Sequence, residues 1–328
     1  MPLRISLACE RYDRVQALFD GRVRIEGCEV NCVALSAEEA FHRAWNGAEF
    51  DVTELSGSTY LMTTARDECP YAAIPAFVSK YFRHSAIYIR NDRGIRTPRD
   101  LIGKRIGMPE YQMTACLWAR GILEDEYGVR PRDIQWFTGG QEEPGRRERA
   151  RLTVDKRVSI TPIGPTQTLA AMLDAGELDA VISARVPSCY RTNPLVVRLF
   201  ENFRAVETAY FQKTKIFPIM HLIGIRKSLV EANPWLPVSV YKAFVAAKDI
   251  AIHELKDAGV NFVTLPWVYQ EVLAAEALLA EDYWAYGVNA NRAALEAMTR
   301  YSFDQGLSQR KLTPEELFPA GTHEIAKL

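Results

Sequence analysis

Leu3, Ile5 and Leu7 alternate with polar neighbours in LRISLA, a period of two that predicts a strand, and VNCVAL predicts a second one. The period then changes. In SAEEAFHRAWN, Ser36 to Asn46, the residues Ala37, Ala40, Phe41 and Ala44 share one helical face, and Ser36 with Glu39 forms a capping box. Gly47 is placed to close that helix, and Phe50 to Leu55 predicts a buried strand. The same grammar returns in TLAAMLDAGELDAVISARVPS, where Leu169, Met172 and Leu173 lie at helical spacing before Gly176 and the strand Leu178 to Ser183.

GAEFDV and GELDAV are near copies, each joining a helix to a buried strand about 130 residues apart, too far for a solenoid repeat. Between them, Ala86 to Arg90 predicts a strand and TPRDL a short helix after Thr97; KRIGM predicts a strand, and Pro109 to Glu126 a helix closed by Gly128. LVVRLF and IMHLIGI predict further strands, and from Pro234 onward the pattern is mainly helical, as in YKAFVAAKDIAIHEL. Helices alternating with strands imply mostly parallel α/β sheets in two similarly built lobes. Residues 1–88 with 200–328 are expected to form one lobe and 89–199 the other, with a cleft between them.

A chain of 328 residues with 48% hydrophobic content is long enough for two separate cores. Its net charge of −1 supplies no basic field for nucleic acid or anionic membrane, so neither partner is expected. The basic run GRRERARL, Gly145 to Leu152, reads as a solvated loop. The apolar stretch before Cys9 is too short for a signal peptide, and nothing approaches the roughly 20 apolar residues that span a bilayer, so a cytoplasmic location is expected. None of the six cysteines forms a CxxC pair. Cys28 and Cys32 lie about 13 Å apart if extended, so the cysteines read as reduced and mostly structural.

The phrases GAEFDV, YIRND, TPRDLIGKRIGMPEYQMTACLWARGILEDEYGV, TLAAMLDAGELDAVISARVPS and FPIMHLIGIRKSL, in this order, resemble the 4,5-dihydroxyphthalate decarboxylase family over nearly the whole chain. That family in turn resembles the type II periplasmic solute-binding proteins in fold. The resemblance implies an α/β, two-lobed type II periplasmic-binding-protein-like architecture and an aromatic acid decarboxylase. The implied reaction converts 4,5-dihydroxyphthalate to 3,4-dihydroxybenzoate (protocatechuate) and carbon dioxide in phthalate degradation. It also implies a homo-oligomer, for which Trp267, Tyr283 and Trp284 are candidate contacts; core packing accounts for them equally well.

In open α/β sheets ligands bind beyond the carboxyl ends of strands, beside helix N-termini. Glu54, Ser56, Ser58 and Thr59 occupy such a junction. A carboxylate directly after a buried strand needs a partner or a function, while the serines either cap a helix or face ligand. Arg11 and Tyr12 follow the first strand, and Arg11 is either a carboxylate clamp or a surface partner of Glu10 or Asp13. Arg83 and His84 precede the crossover strand, and His221 lies in the other hinge-proximal strand. Tyr111 and Thr114 open the second-lobe helix, and Arg185 emerges from the repeated strand as a carboxylate anchor or an interlobe ion pair. His42, His253 and His323 read as structural.

A hydroxyl para to a departing carboxylate can push electrons into the ring while an acid protonates the carbon that bears it. In that chemistry His84 or His221 supplies the proton or stabilises a phenolate, Glu54 assists as base or acid, and Arg11, Arg83 and Arg185 hold carboxylates. No organic cofactor is needed. A divalent ion held by two histidines, a carboxylate and catechol oxygens stays open, although no HxxxH or CxxC spacing calls for one. GxGxxG, GxxxxGK[ST] and GxSxG motifs are absent. The alternatives are a solute-binding protein for a small aromatic or sulfonate-like anion, or a decarboxylase of a related hydroxylated aromatic acid.

Overall fold

The computed structural model describes residues 1–148, 152 and 154–323. Two sheets organise the chain. The first contains β1 (Leu3–Cys9), β2 (Cys28–Ala34), β3 (Val52–Ser56) and β4 (Tyr71–Lys80). The second contains β5 (Ile87–Arg90), β6 (Arg105–Met108), β7 (Gln135–Thr138), β8 (Ser159–Pro162), β9 (Ala180–Ile182) and β10 (Val196–Arg198). A late strand, β11 (Ile219–Arg226), returns to the first sheet and inserts between β3 and β4. The orders are β2-β1-β3-β11-β4 and β10-β5-β9-β6-β7-β8.

The near copies GAEFDV and GELDAV become β3 and β9. Each has a parallel neighbour on one side, β1 or β6, and an antiparallel neighbour on the other, β11 or β5. The sheets are therefore mixed: the strands arriving after a lobe crossing, β5 and β11, run against the parallel core of each sheet.

The helices are α1 (Asp13–Phe19), α2 (Ala37–Gly47), α3 (Gly57–Ala65), α4 (Thr114–Tyr127), α5 (Leu169–Asp174), α6 (Phe203–Thr214), α7 (Lys227–Ala232), α8 (Leu236–Leu255), α9 (Val268–Leu279) and α10 (Arg292–Asp304). Ser36 caps α2 by accepting from Glu39 N, and the left-handed residue that ends it is Ala48 rather than Gly47. The expected Pro109–Glu126 helix starts only at Thr114. The amides of Tyr111 and Gln112 donate to the Glu148 carboxylate, which holds Pro109–Met113 in a turn before α4.

Helix α10 locks α4 in place. Gly121 allows the approach, because a Cβ there would lie 2.4 Å from the Tyr301 ring. Trp118 meets the same ring edge-on at 5.5 Å and donates to the carbonyl of Ile219 at 2.7 Å. Gly121→Ala is expected to destabilise the protein by about 1–3 kcal/mol through overpacking, read as a lower urea midpoint with unchanged slope.

Trp284 belongs to this interior rather than to an open surface: its indole donates to Phe77 O at 3.0 Å and Arg14 covers its ring at 4.4 Å. Tyr283 is half-buried, and Trp267 alone of the three is fully exposed. All six cysteines are free thiols. No helix among the described residues is long and apolar enough to cross a membrane.

Candidate active site

Strand register builds the centre of the site. β1, β3 and β11 are neighbours, and His221 pairs with Ser56 while Ile223 pairs with Glu54. Facing residues of an antiparallel pair share a side of the sheet, so Glu54, Ser56 and His221 project together, with Glu54 and His221 on the diagonal. The β1 register runs from Leu7 opposite Val52 to Ala8 opposite Thr53, which carries Cys9 beside Glu54.

Glu54 is completely buried and its carboxylate accepts four hydrogen bonds. The donors are His221 Nδ1 at 2.7 Å, the Tyr12 hydroxyl at 2.8 Å, the Glu10 amide at 3.0 Å and Cys9 Sγ at 3.4 Å. Burial pushes its pKa up. The hydrogen bond and charge of His221, helped by the Glu10 amide and the Tyr12 hydroxyl, outweigh burial and leave Glu54 below the ordinary carboxyl value. Glu54 is thus a buried anion that holds the imidazole with Nδ1 as donor. Nε2 is the ring nitrogen left for the cavity that His221 lines.

That cavity, about 160 Å³, lies between the two sheets and opens into a wider mouth of about 700 Å³, with Glu38, Glu110 and Arg185 lining both. Arg83 forms part of its wall. The residue is 7% exposed, and among the described residues its guanidinium makes one hydrogen bond, Nε to Met220 Sδ at 3.1 Å, and no ion pair. Burial lowers its pKa to about 10, still charged at neutral pH. Glu207 acts on it only through space, so a buried cation with no carboxylate in contact stands on the cavity wall, where it is available to an anion. Across the lobes, Ser56 Oγ and Thr114 Oγ1 meet at 3.0 Å, and the Ser58 amide donates to the same threonine oxygen at 3.1 Å.

Several residues singled out in the sequence stand elsewhere. Arg11 is exposed and donates to Gln16, turned away from the cavity wall. Ser58 is fully buried within α3, and Tyr111 lies in the second-lobe core with Arg120 stacked 3.7 Å above its ring; neither lines the cavity. Arg185 is largely exposed at the mouth, 3.9 Å from Glu38. Tyr12 and Glu54 lie behind His221 and do not line the cavity; Glu54 reaches it only through the imidazole that it holds. Among the described residues no three His, Cys, Asp or Glu side chains are grouped to hold a metal ion.

His84 also leaves the site. Its ring is 1% exposed, edge-on to Phe200 and Tyr210 at 5.3 and 5.1 Å, with no hydrogen-bond partner on either nitrogen among the described residues. Burial drives its pKa down to about 4. Because the folded value lies below the unfolded one, the unfolded chain takes up the extra proton first. Stability is therefore lost as pH falls from about 6.5 towards 4, by at most about 3 kcal/mol. His84→Phe suits the aromatic surroundings and is expected to flatten that acid limb in denaturation curves while leaving turnover intact. A folded His84→Phe protein without turnover would return His84 to the chemistry.

Other residues of the wall carry little sequence signal. Gln112, one position past Tyr111, is 1% exposed; its side-chain amide nitrogen donates to Glu110 at 3.0 Å and its oxygen is buried without a hydrogen-bond partner among the described residues. Phe41 meets the His221 ring edge-on at 4.8 Å. In the basic run, Arg146 is not a solvated charge: it pairs with buried Glu110 at 2.7 Å and reaches Glu38 of the other lobe at 3.5 Å. Arg149 and Arg151 of that run lie outside the described residues.

Comparison with known proteins agrees with this architecture. A family model described as "ABC transporter, phosphonate, periplasmic substrate-binding protein" matches residues 10–146. Among solved structures, the periplasmic aliphatic sulphonate binding protein SsuA from Escherichia coli superposes with a TM-score of 0.52 at 12% identity, covering 97% of this chain and 98% of that one, a likeness of fold alone. A 4,5-dihydroxyphthalate decarboxylase from Pseudomonas putida is 43% identical over 211 residues, 64% of this chain and 82% of the relative. Another from Comamonas testosteroni is 42% identical over 327 residues, 99% of both chains. With identity at this level sustained from end to end, the chain belongs to the 4,5-dihydroxyphthalate decarboxylase family.

Proposed function

We propose that the chain decarboxylates 4,5-dihydroxyphthalate to 3,4-dihydroxybenzoate and carbon dioxide in the cavity between the sheets. The observation that carries the reading is the pairing of a carboxylate-held histidine with a buried, unpaired arginine on one cavity wall. A benzene ring with adjacent carboxylates presents one group to leave and one to be held.

Arg83 binds the retained carboxylate, assisted by the Ser56 and Thr114 hydroxyls. The catechol hydroxyls lie towards Gln112 Oε1, which is an unfilled acceptor, and towards the carboxylates of Glu110 and Glu38. Loss of the proton from the hydroxyl para to the departing group raises electron density at the carbon bearing it. His221 Nε2 delivers a proton to that carbon, and Glu54 stabilises the imidazolium that must form beforehand. The C–C electron pair then returns to the ring as carbon dioxide leaves.

Incubation with 4,5-dihydroxyphthalate, followed by chromatography for 3,4-dihydroxybenzoate and by carbon dioxide release, tests the reading. Stoichiometric appearance of both products is expected, whereas tight binding without turnover would make the protein a solute receptor. The rate is expected to be unchanged by a chelator, because the proton route needs only side chains; a chelator-sensitive rate restored by a divalent ion would place a metal in the chemistry. A cytoplasmic, self-associating enzyme fits this reading, with the exposed Trp267 as a contact; sedimentation of the wild type against Trp267→Ser tests the latter.

A further inference from the structure

Away from the cleft, a second cavity of about 160 Å³ lies between the end of β4, α6 and the segment before α10. Lys80 projects into it, 6% exposed, with its amine 2.8 Å from Asn291 Oδ1 and 4.9 Å from the centre of the Phe217 ring. The Asn291 amide nitrogen donates to Ala285 O and Gly287 O, which fixes its oxygen towards the lysine. No carboxylate among the described residues forms an ion pair with Lys80. The nearby Asp282 is held by both oxygens to buried Lys248, at 2.8 and 2.7 Å.

Lys80, Lys215 and Asp282 line the cavity, Lys215 from its exposed side, while the buried Lys248 is paired with Asp282 and Asp249. Tyr283 lines the same space with a buried hydroxyl that has no hydrogen-bond partner among the described residues, a donor without an acceptor; the charges of Asp13, Glu276 and Asp282 act on it. Burial, together with the charge of Lys248, lowers the Lys80 pKa to about 7 against the pull of Asp282, so the free amine is a major species at neutral pH.

We propose that Lys80 is a carbamylation site, its amine capturing carbon dioxide in a cavity that offers the resulting anion a hydroxyl donor. The nitrogen lone pair attacks the carbon of CO₂, one C=O pair moves onto oxygen, and a proton leaves nitrogen for solvent. The balance is R–NH₂ + CO₂ → R–NH–COO⁻ + H⁺. The remaining N–H still donates to Asn291, Tyr283 donates to a carbamate oxygen, and Lys215 of the cavity lining offsets the new charge. The site gives the enzyme a group that responds to the product of its proposed reaction, although the capture itself does not depend on that reaction.

The test supplies ¹³C-bicarbonate to the intact protein at neutral pH, traps carbamates with a trialkyloxonium reagent and locates them by peptide mass spectrometry. Lys80 holds on the order of a thousandfold more free amine at pH 7 than an ordinary surface lysine, so its peptide is expected to dominate over those of exposed Lys242 and Lys311. Lys80→Met should remove the label and Tyr283→Phe should reduce it several-fold. A ¹³C carbamate resonance in the untrapped wild type gives a second reading that needs no variant. Label on Lys80 no stronger than on Lys242, or no resonance at saturating bicarbonate, would overturn the proposal. Because bicarbonate is added directly, that failure is distinct from a failure to turn over 4,5-dihydroxyphthalate.

Discussion

His221→Gln is expected to lower kcat for carbon dioxide release by roughly 10²–10⁴-fold, the range that one positioned general acid contributes. Glutamine keeps the bulk and a donor towards Glu54 but cannot carry a transferable proton. Glu54→Gln should fall in the same range, because an amide neither stabilises an imidazolium nor fixes Nδ1 as the donor. The two losses should not multiply: groups acting as one unit are non-additive, and the double variant should resemble the worse single one. Near-normal turnover in a folded His221→Gln protein, judged by circular dichroism and midpoint, would end this account of the proton.

Glu54→Gln carries a second signature. The native carboxyl lies below its ordinary pKa, so its contribution to stability is present above that ordinary value and is lost as pH falls through the folded one. The glutamine variant should lose this dependence along with its activity. His84→Phe affects a higher window, between about 4 and 6.5, so the two groups can be separated in one set of pH-resolved melts.

Arg83→Met should act on binding. Removing one partner of a buried charge pair costs about 2–5 kcal/mol, which predicts a rise in KM of roughly thirtyfold or more with a smaller change in kcat. The ligand-free variant should also melt higher than the wild type, since it no longer buries a guanidinium without a carboxylate. Weaker binding together with greater stability is the outcome expected of a buried charge that serves ligand binding rather than folding. If KM stays unchanged while stability drops, Arg83 is a structural residue.

Period and punctuation made the two-sheet plan legible, because strand, helix and glycine recur in the same order around GAEFDV and GELDAV. Glu54 stood out for an energetic reason: a carboxylate inside a buried run must be compensated. What compensates it could not be read, since Cys9, Tyr12 and His221 reach it through the register of three strands distant in sequence. Tyr111 and Gln112 illustrate a parity problem. Both lie in one turn, and only the fold decides that the aromatic ring faces Arg120 while the amide faces the cavity. His84 and His221 were alike as isolated histidines beside a crossover; one met aromatic rings and the other a carboxylate. Arg146 was hidden by its neighbours, because a run of like charges reads as solvated until one member finds a buried acid.

The four hydrogen bonds to Glu54 bear on how such a site can change over time. All its donors come from the scaffold of one lobe, and Glu54 itself does not line the cavity. Under the proposed chemistry Gln112 and Arg83, which do not touch Glu54, can therefore be exchanged, and the range of acceptable acids altered, without disturbing the carboxylate that holds the histidine. Selection on substrate preference and selection on proton transfer then fall on largely separate residues, which meet at His221 and at Phe41 packed on its ring.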